Sequence, residues 1–384
     1  MLPRTTDDNL LDNLSYADLF KYSRTCKDAQ NTVSSYMRRK HKLETVLGKY
    51  FTDAQILYFR HLQATTGMVI SGSTALQFFE RILYPESDLD LYVEHRYRRP
   101  IALWLASIGY RYVAARKTFR SEHHDAGDGV SITATQPTLE EALAVDVPQL
   151  TEGPINYGAH RPTIFFYGSG GGYLDATAIL NFQKVDEIGQ HRKIQIISSP
   201  RSPVEMILNF HSTCVMNFIT HEKAYSLYPR ATFEERRSLI CLFSTAARAR
   251  AWAKYTERGW TMLDGITGDD FHDLDSSLAR GRRYVGDSKT WTIPILPKID
   301  TTCPEDLVEM NSWSLHYDQY LKPHLEFSLL ISPQLRFCYL VVDEFLREEI
   351  WKIRILHKTY CEGDQHYDWF VKPFVTRYLT ETIV

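Results

Sequence analysis

Apolar residues fall into three textures along this chain. In residues 1–50, Leu10, Leu11, Leu14, Leu19, Tyr22 and Cys26 recur at helical intervals, which predicts two or three short amphipathic helices. From there to residue 200, short apolar runs alternate with loops. Residues 67–71 read as a buried strand. A helix follows with Leu76, Phe79 and Leu83 as its stripe and Ser73 at the N-cap, then a strand in which Leu89, Leu91 and Val93 alternate with Asp88, Asp90 and Tyr92. Residues 101–108 read as a helix, and 110–114, 131–134 and 163–167 as strands. Residues 176–185 and 192–198 read as an antiparallel pair turning at Glu187-Ile188-Gly189-Gln190.

Beyond residue 200 the texture turns helical. Ser202-Pro203-Val204-Glu205 is a capping box with proline at the first helical position and predicts a helix to about residue 220. Thr232-Phe233-Glu234-Glu235 repeats the box ahead of an Ala- and Arg-rich run to about residue 258. Residues 260–312, rich in Gly, Asp, Pro and Ser, read as an irregular connection. Residues 334–360 read as a final amphipathic helix or pair, with Leu335, Leu340, Val341, Phe345, Ile350, Ile353 and Leu356 on its apolar side. The expected class is α+β: a small mixed sheet with flanking helices, short N-terminal helices and a helical C-terminal region. The expected units are residues 1–50, 51–200 and 201–384.

Composition changes this picture little. With 384 residues and 44% apolar content the chain can bury two or three packed units, and a formal net charge of −3 does not single out a nucleic-acid or anionic-membrane binder. Six cysteines without a Cys-x-x-Cys pair argue against a structural zinc site and a disulfide framework, and suit a reducing compartment. The N-terminus carries no apolar signal segment and no run is long enough to span a bilayer. A soluble protein of the cytoplasm or nucleus, with no membrane partner, is therefore expected.

The candidate chemistry sits in Gly72-Ser73-Thr74-Ala75-Leu76 and Ser87-Asp88-Leu89-Asp90-Leu91. Residues at i and i+2 of a strand share a face, so Asp88 and Asp90 can chelate one divalent ion between them. Gly72 has the backbone freedom for a tight approach, and the free N–H groups of a helix start at Ser73 and Thr74 can cradle phosphate.

This order of strand, Gly-Ser helix start and Asp-x-Asp strand resembles the polymerase-beta-like nucleotidyltransferase superfamily. Gly-Ser-Thr-Ala-Leu and Ser-Asp-Leu-Asp-Leu are closest to the Gly-Gly-Thr-Ala-Leu and Asp-Ile-Asp-Leu segments of its abortive-infection toxin type. The resemblance covers about a third of the chain and implies Ser73 on a triphosphate and Asp88 with Asp90 on Mg²⁺ or Mn²⁺. An NTP would be the substrate and a hydroxyl on protein, RNA or a small molecule the acceptor. The superfamily's third carboxylate, expected on a later strand, has no counterpart in residues 192–197, where Gln195 is the central polar position. Asp146 and Asp175 are the substitutes in that half of the chain. Relatives of the toxin type also use a lysine on a helix after the core, and none lies between Ser202 and Thr220; Asn209 and His211 are the stand-ins there.

Leu2-Pro3, the leucines that follow, Asp18-Leu19 and Ser23-Arg24-Thr25-Cys26-Lys27 resemble an F-box over about forty residues. That implies docking on a Skp1-like protein through residues 1–30, with Leu2, Pro3, Leu10, Leu11, Leu14 and Leu19 as contacts. The alternative is a helical cap on the core. Functionally, an enzyme therefore stands beside an F-box-like adaptor with a catalytically degenerate domain, and beside a catalytically dead nucleotide sensor.

Other features carry less. Gly168-Ser169-Gly170-Gly171-Gly172 lacks the Gly-Lys-Ser/Thr of a phosphate loop and reads as a hairpin connection. His123-His124-Asp125 reads as solvated, and the basic run at residues 38–42 as a solvated helix face. The arginines at 96, 98 and 99 and at 280, 282 and 283 can hold phosphate but read first as surface charge. The polar groups Asn209, His211, Ser212, Thr213, Cys214 and Asn217 read as buried hydrogen-bonding partners. Phe-His-Ser-Thr-Cys-Val-Met-Asn, starting at Phe210, resembles segments of fungal proteins.

Overall fold

Five helices precede the first strand, beginning with α1 (Arg4–Asp12), α2 (Tyr16–Ser23), α3 (Lys27–Lys40) and α4 (Leu43–Leu47). Three of the later starts have a local cause. Ser15 accepts the Asp18 N–H ahead of α2, and the Cys26 thiol accepts the Ala29 N–H ahead of α3. Thr52 and Gln55 close a reciprocal capping box on α5 (Asp53–Thr66), which ends at Gly67 in the left-handed conformation. The computed structural model describes residues 4–82, 84, 87–114, 137–144, 178–187, 189–242, 245–301, 307–332, 335–343, 345–346, 349 and 368–382.

The core is built on a mixed sheet. Its strands are β1 (Val69–Ser71), β2 (Leu89–Glu94), β3 (Arg111–Val113), β4 (Ala178–Val185), β5 (His191–Ser199), β6 (Asn217–Ile219) and β7 (Lys223–Ser226). After β8 (Arg237–Leu239), β9 (Thr261–Leu263) and β10 (Gly281–Tyr284), β11 (Trp291–Pro294) returns to complete eight strands in the order β11-β7-β6-β1-β2-β5-β4-β3. The β2–β5 pair is parallel and the other pairs are antiparallel. Helix α6 (Gly72–Glu80) joins β1 to β2, and α7 (Arg98–Ser107) joins β2 to β3; α8 (Leu139–Leu143) follows. The α+β class expected from the sequence holds.

The alternation in β2 decides what lies on either side. Leu89, Leu91 and Val93 are fully buried with Ile194 and Ile196 of β5, Ile70 of β1 and the N-terminal helices. The opposite face carries Asp90 and Tyr92, and Tyr92 joins a second core with Val69, Ile197 and Phe218. A further sheet covers that second core, formed by β10, β12 (Ser312–Tyr317) and β13 (Pro323–Glu326). The face is thus sealed around Tyr92 and left polar around Asp90.

Residues 4–47 hold four helices, one more than the two or three that the leucine spacing predicts. Leu11 and Leu19 are each 1% exposed and lie in the same core as β2, whereas Leu10 is 58% exposed. Tyr16 on α2 donates to the Phe79 carbonyl of α6 at 2.7 Å and meets His41, tying these helices to the element that opens the candidate site. Leu19→Ala is accordingly expected to cost about 2–4 kcal/mol in urea unfolding. Leu10→Ala should stay within about 0.5 kcal/mol. Equal effects would contradict the packing of these helices on the core.

Several elements beyond residue 200 differ from expectation. The helix launched by Ser202 and Pro203, α9 (Pro203–Leu208), stops short of residue 220 because the chain is drawn into the sheet, where Ile219 pairs with Ile70. The run from 232 to 258 is not one helix. Arg236 at φ 53 breaks it, β8 pairs in parallel with β9, and α10 (Ala246–Glu257) starts at Thr245, whose hydroxyl accepts the Arg248 N–H. Residues 260–312 hold β9, α11 (Gly268–His272), β10 and β11, elements too short for a periodic signal. Within 334–360, Tyr339–Val341 is a strand (β15) on β14 (Ser328–Leu330); the described chain closes with α12 (Asp368–Thr382). In these cases pairing with a sheet partner overrides local propensity. No helix among the described residues is long and apolar enough to cross a membrane.

Candidate functional site

Strand β1 delivers the chain to Gly72, which takes φ 65 as α6 begins. Ser71, not Ser73, occupies the N-cap. Its hydroxyl donates to the Asn217 carbonyl at 2.6 Å and so makes no cap bond, which leaves the first amides of α6 without a side-chain acceptor. Ser73 lies in the first turn, half-buried, and its hydroxyl has no partner among the described residues. Thr74 is buried and its hydroxyl donates to the Asp88 carbonyl at 3.2 Å, so it positions the carboxylate strand rather than facing a ligand.

The chain entering β2 is tied at Ser87. Its hydroxyl meets Lys49 Nζ at 2.7 Å and Gln77 Nε2 at 3.0 Å, and its carbonyl accepts from the Tyr50 hydroxyl at 2.6 Å. Asp88 and Asp90 follow from this anchored start. Gly72 is packed so closely on the second of them that a Cβ there would lie 2.6 Å from Asp90 Oδ2. The start of the helix and this carboxylate are therefore packed against each other.

Burial and the neighbouring Asp88 charge push Asp90 up to about 7, although part of the residue still meets solvent. Burial also raises Asp88, opposed by Lys193, Lys49 and Lys254. Lys254, on α10, is lowered by burial and by Arg258 and raised by Asp90 and Asp88. It stands in the sheet's electrostatic field from a helix more than 150 residues later in the chain, where residues 202–220 offered no lysine. Its position at i−4 from Arg258 marked a cationic helix edge, but nothing in the sequence links that edge to Asp88. His211 also faces this helix: burial, Arg248 and Lys254 push it down to about 4, and its Nδ1 meets the Ser212 hydroxyl at 2.7 Å.

Across the sheet, Asp90 is in register with Gln195, and Gln195 with Asn181. Gln195 Nε2 donates to Asn181 Oδ1 at 2.8 Å. The strand that would bring a third carboxylate thus brings an amide, linked to a second amide on β4. No group of three or more His, Cys, Asp or Glu side chains suited to a metal is present among the described residues. Asp146 and Asp175 lie outside the described residues, as do Leu2, Pro3, Leu83, the 123–125 and 168–172 segments, and the strands expected at 131–134 and 163–167.

The other candidates resolve into structure. Arg96 pairs with Glu94 at 2.7 Å, buried Arg98 donates to the His95 and Leu143 carbonyls, and Arg99 meets Glu140 at 3.2 Å. Arg283 is buried on Asp287 at 2.5 Å, Arg282 reaches Asp343, and Arg280 stacks on Phe271. Asn209 donates to the Glu205 carbonyl, Asn217 to the Cys214 carbonyl, and Thr213 accepts the Leu239 N–H. No family model, no curated protein and no solved structure matches the chain.

Proposed function

We propose that the protein binds an NTP with Mg²⁺ or Mn²⁺ and transfers the nucleotidyl group to an acceptor oxygen. The observation that carries this reading is the contact of Gly72 with Asp90, which sets the first turn of a helix against a paired carboxylate. Phosphate on the N–H groups of Ser73 and Thr74 and a divalent ion on Asp88 and Asp90 would then be neighbours.

The donor set fits such an ion. The Asp88 charge raises Asp90, so the pair repels when both are ionised, and a hard divalent cation relieves that repulsion while keeping coordination positions for water and phosphate oxygens. Bound there, it would neutralise the charge that develops on the phosphates during transfer. Asp88 and Asp90 would hold it, Thr74 and the Ser87 anchors fix the strand that carries them, and Lys254 on α10 adds positive charge that acts on both carboxylates.

Incubating the protein with α-labelled NTPs, Mn²⁺ and a cell extract tests this. Label should pass to an acceptor and fall at least a hundredfold in Asp88→Ala and Asp90→Ala. Transfer that survives both substitutions would sink the assignment.

The linked amides Gln195 and Asn181 favour a second reading, a nucleotide sensor whose binding needs Asp88 and Asp90 but which turns nothing over. An adaptor role through a Skp1-like partner has less room, since Leu11 and Leu19 are spent on the chain's own core. Cysteine usage keeps cytoplasm or nucleus as the proposed compartment.

A further inference from the structure

A hydroxyl acceptor has to lose a proton as it attacks, and nucleotidyl transfer to it needs a base. The side chain beside Asp90 in the register cannot serve: Gln195 is an amide, locked to a second amide. His211 is half-buried and pushed down to about 4 by desolvation, Arg248 and Lys254, too weak a base to take a proton from an alcohol. An amide pair does something else. Whichever way the two groups are turned, the bond between them uses one N–H and one carbonyl oxygen. The other amide NH₂ and the other carbonyl oxygen have no partner among the described residues.

The surroundings are cationic. Lys193 lies two residues before Gln195 on the same face of β5, is exposed, and acts electrostatically on Asp88. Lys254 does so from α10. Neither ammonium has a hydrogen-bond or ion-pair partner among the described residues. An NTP brings negative charge of its own, but Lys193 lies on the β5 side of Asp90, beside the amides and across β2 from the strand that leads into α6.

We propose, resting on the nucleotidyl-transfer reading, that the acceptor is the terminal phosphate of a phosphomonoester, seated by Lys193 and the Gln195–Asn181 amides. Such a phosphate is largely dianionic at neutral pH, so no base is needed. One of its oxygens attacks the α-phosphorus and forms a P–O bond. The bond from the α-phosphorus to the α–β bridging oxygen breaks, and pyrophosphate leaves with the electron pair. The product is a phosphoanhydride, and no proton is taken from the acceptor.

The test uses the full chain, α-labelled NTPs and Mn²⁺ with two matched acceptor pairs: ribose 5-phosphate beside ribose, and a 5′-phosphorylated oligoribonucleotide with a blocked 3′ end beside its 5′-hydroxyl twin. Label should favour the phosphorylated member of at least one pair by tenfold or more, and the pair that responds identifies small molecule or nucleic-acid end. The product should resist phosphatase and yield to a pyrophosphatase. Lys193→Gln should lower this transfer at least tenfold while the thermal shift caused by Mn²⁺ and NTP persists. Gln195→Glu should suppress it and open transfer to the hydroxyl member. Equal or better labelling of the hydroxyl members by the wild type overturns the assignment. So does labelling of neither while nucleotide binding persists, or hydroxyl transfer abolished by Asp146→Asn or Asp175→Asn. Loss of any Asp88- and Asp90-dependent binding of NTP with Mn²⁺ instead removes the underlying reading, and the acceptor with it.

Discussion

Asp90→Asn is expected to abolish Mn²⁺-dependent nucleotide binding and, in the metal-free protein, to raise stability at pH 8. Both effects come from the same charge. Burial and Asp88 lift Asp90 from 3.8 to about 7, so between those values the folded state holds a proton that the unfolded state has released. Stability from this group is therefore highest at low pH and falls as pH rises through 4 to 7. Removing the charge returns it, on the order of 2 kcal/mol at pH 8 after allowance for the residue's partial solvent contact and its coupling to Asp88. Below pH 4 wild type and variant should unfold alike.

Metal affinity of the wild type runs the other way, because the ion needs the ionised pair, and it should strengthen as pH rises through 7. Chemical unfolding at pH 4 and pH 8, with and without Mn²⁺, measures all of this. A variant less stable than wild type at pH 8 would mean that Asp90 is paired favourably in the metal-free fold, contrary to the geometry.

Gly72→Ala should be the most damaging small substitution in the site. It adds one carbon where φ is 65 and where Asp90 Oδ2 would be 2.6 Å away, so backbone strain and steric collision act together. A stability loss of about 1–3 kcal/mol is expected from strain of this kind. Because the carboxylate must move, Mn²⁺ affinity should drop more than tenfold as well. Gly268→Ala is the control: it opens α11, has no positive φ and would meet nothing within 4 Å, so it should change neither quantity appreciably. If Gly72→Ala lowers stability but leaves Mn²⁺ binding intact, Asp90 is not the ligand proposed.

Much of the front half was legible because its signals are local. The alternation of Leu89, Leu91 and Val93 with Asp88 and Asp90 fixes which way each points once a strand forms, and the structure buries the first set. The antiparallel pair β4–β5 follows from two short apolar runs around one tight turn. The cap of α6 lies two residues earlier than the sequence predicts, since Ser71 and Ser73 are equally good caps in isolation and the Asn217 carbonyl, a partner 146 positions away, makes the choice.

Behind residue 200 the same rules failed where long-range pairing outweighed propensity. Good helix starters at Ser202 and Thr232 did not produce long helices, because Ile219 and Leu239 gain more by joining sheets than by extending a turn. For the arginine clusters the pattern showed charge but not its partner, and Asp287 or Glu140 supplies what a phosphate would otherwise have supplied.

By itself the sequence determined the identity of the carboxylates, their common face and the glycine that lets a helix begin against them, because these depend on periodicity and on φ. Only the tertiary structure decided that Leu11 and Leu19 serve the core, that the charge of Lys254 acts on Asp88 and Asp90, and that Gln195 stands beside Asp90 bonded to Asn181. Each of those depends on which distant segments pack together, and packing is settled by the burial of whole faces rather than by any short run of residues.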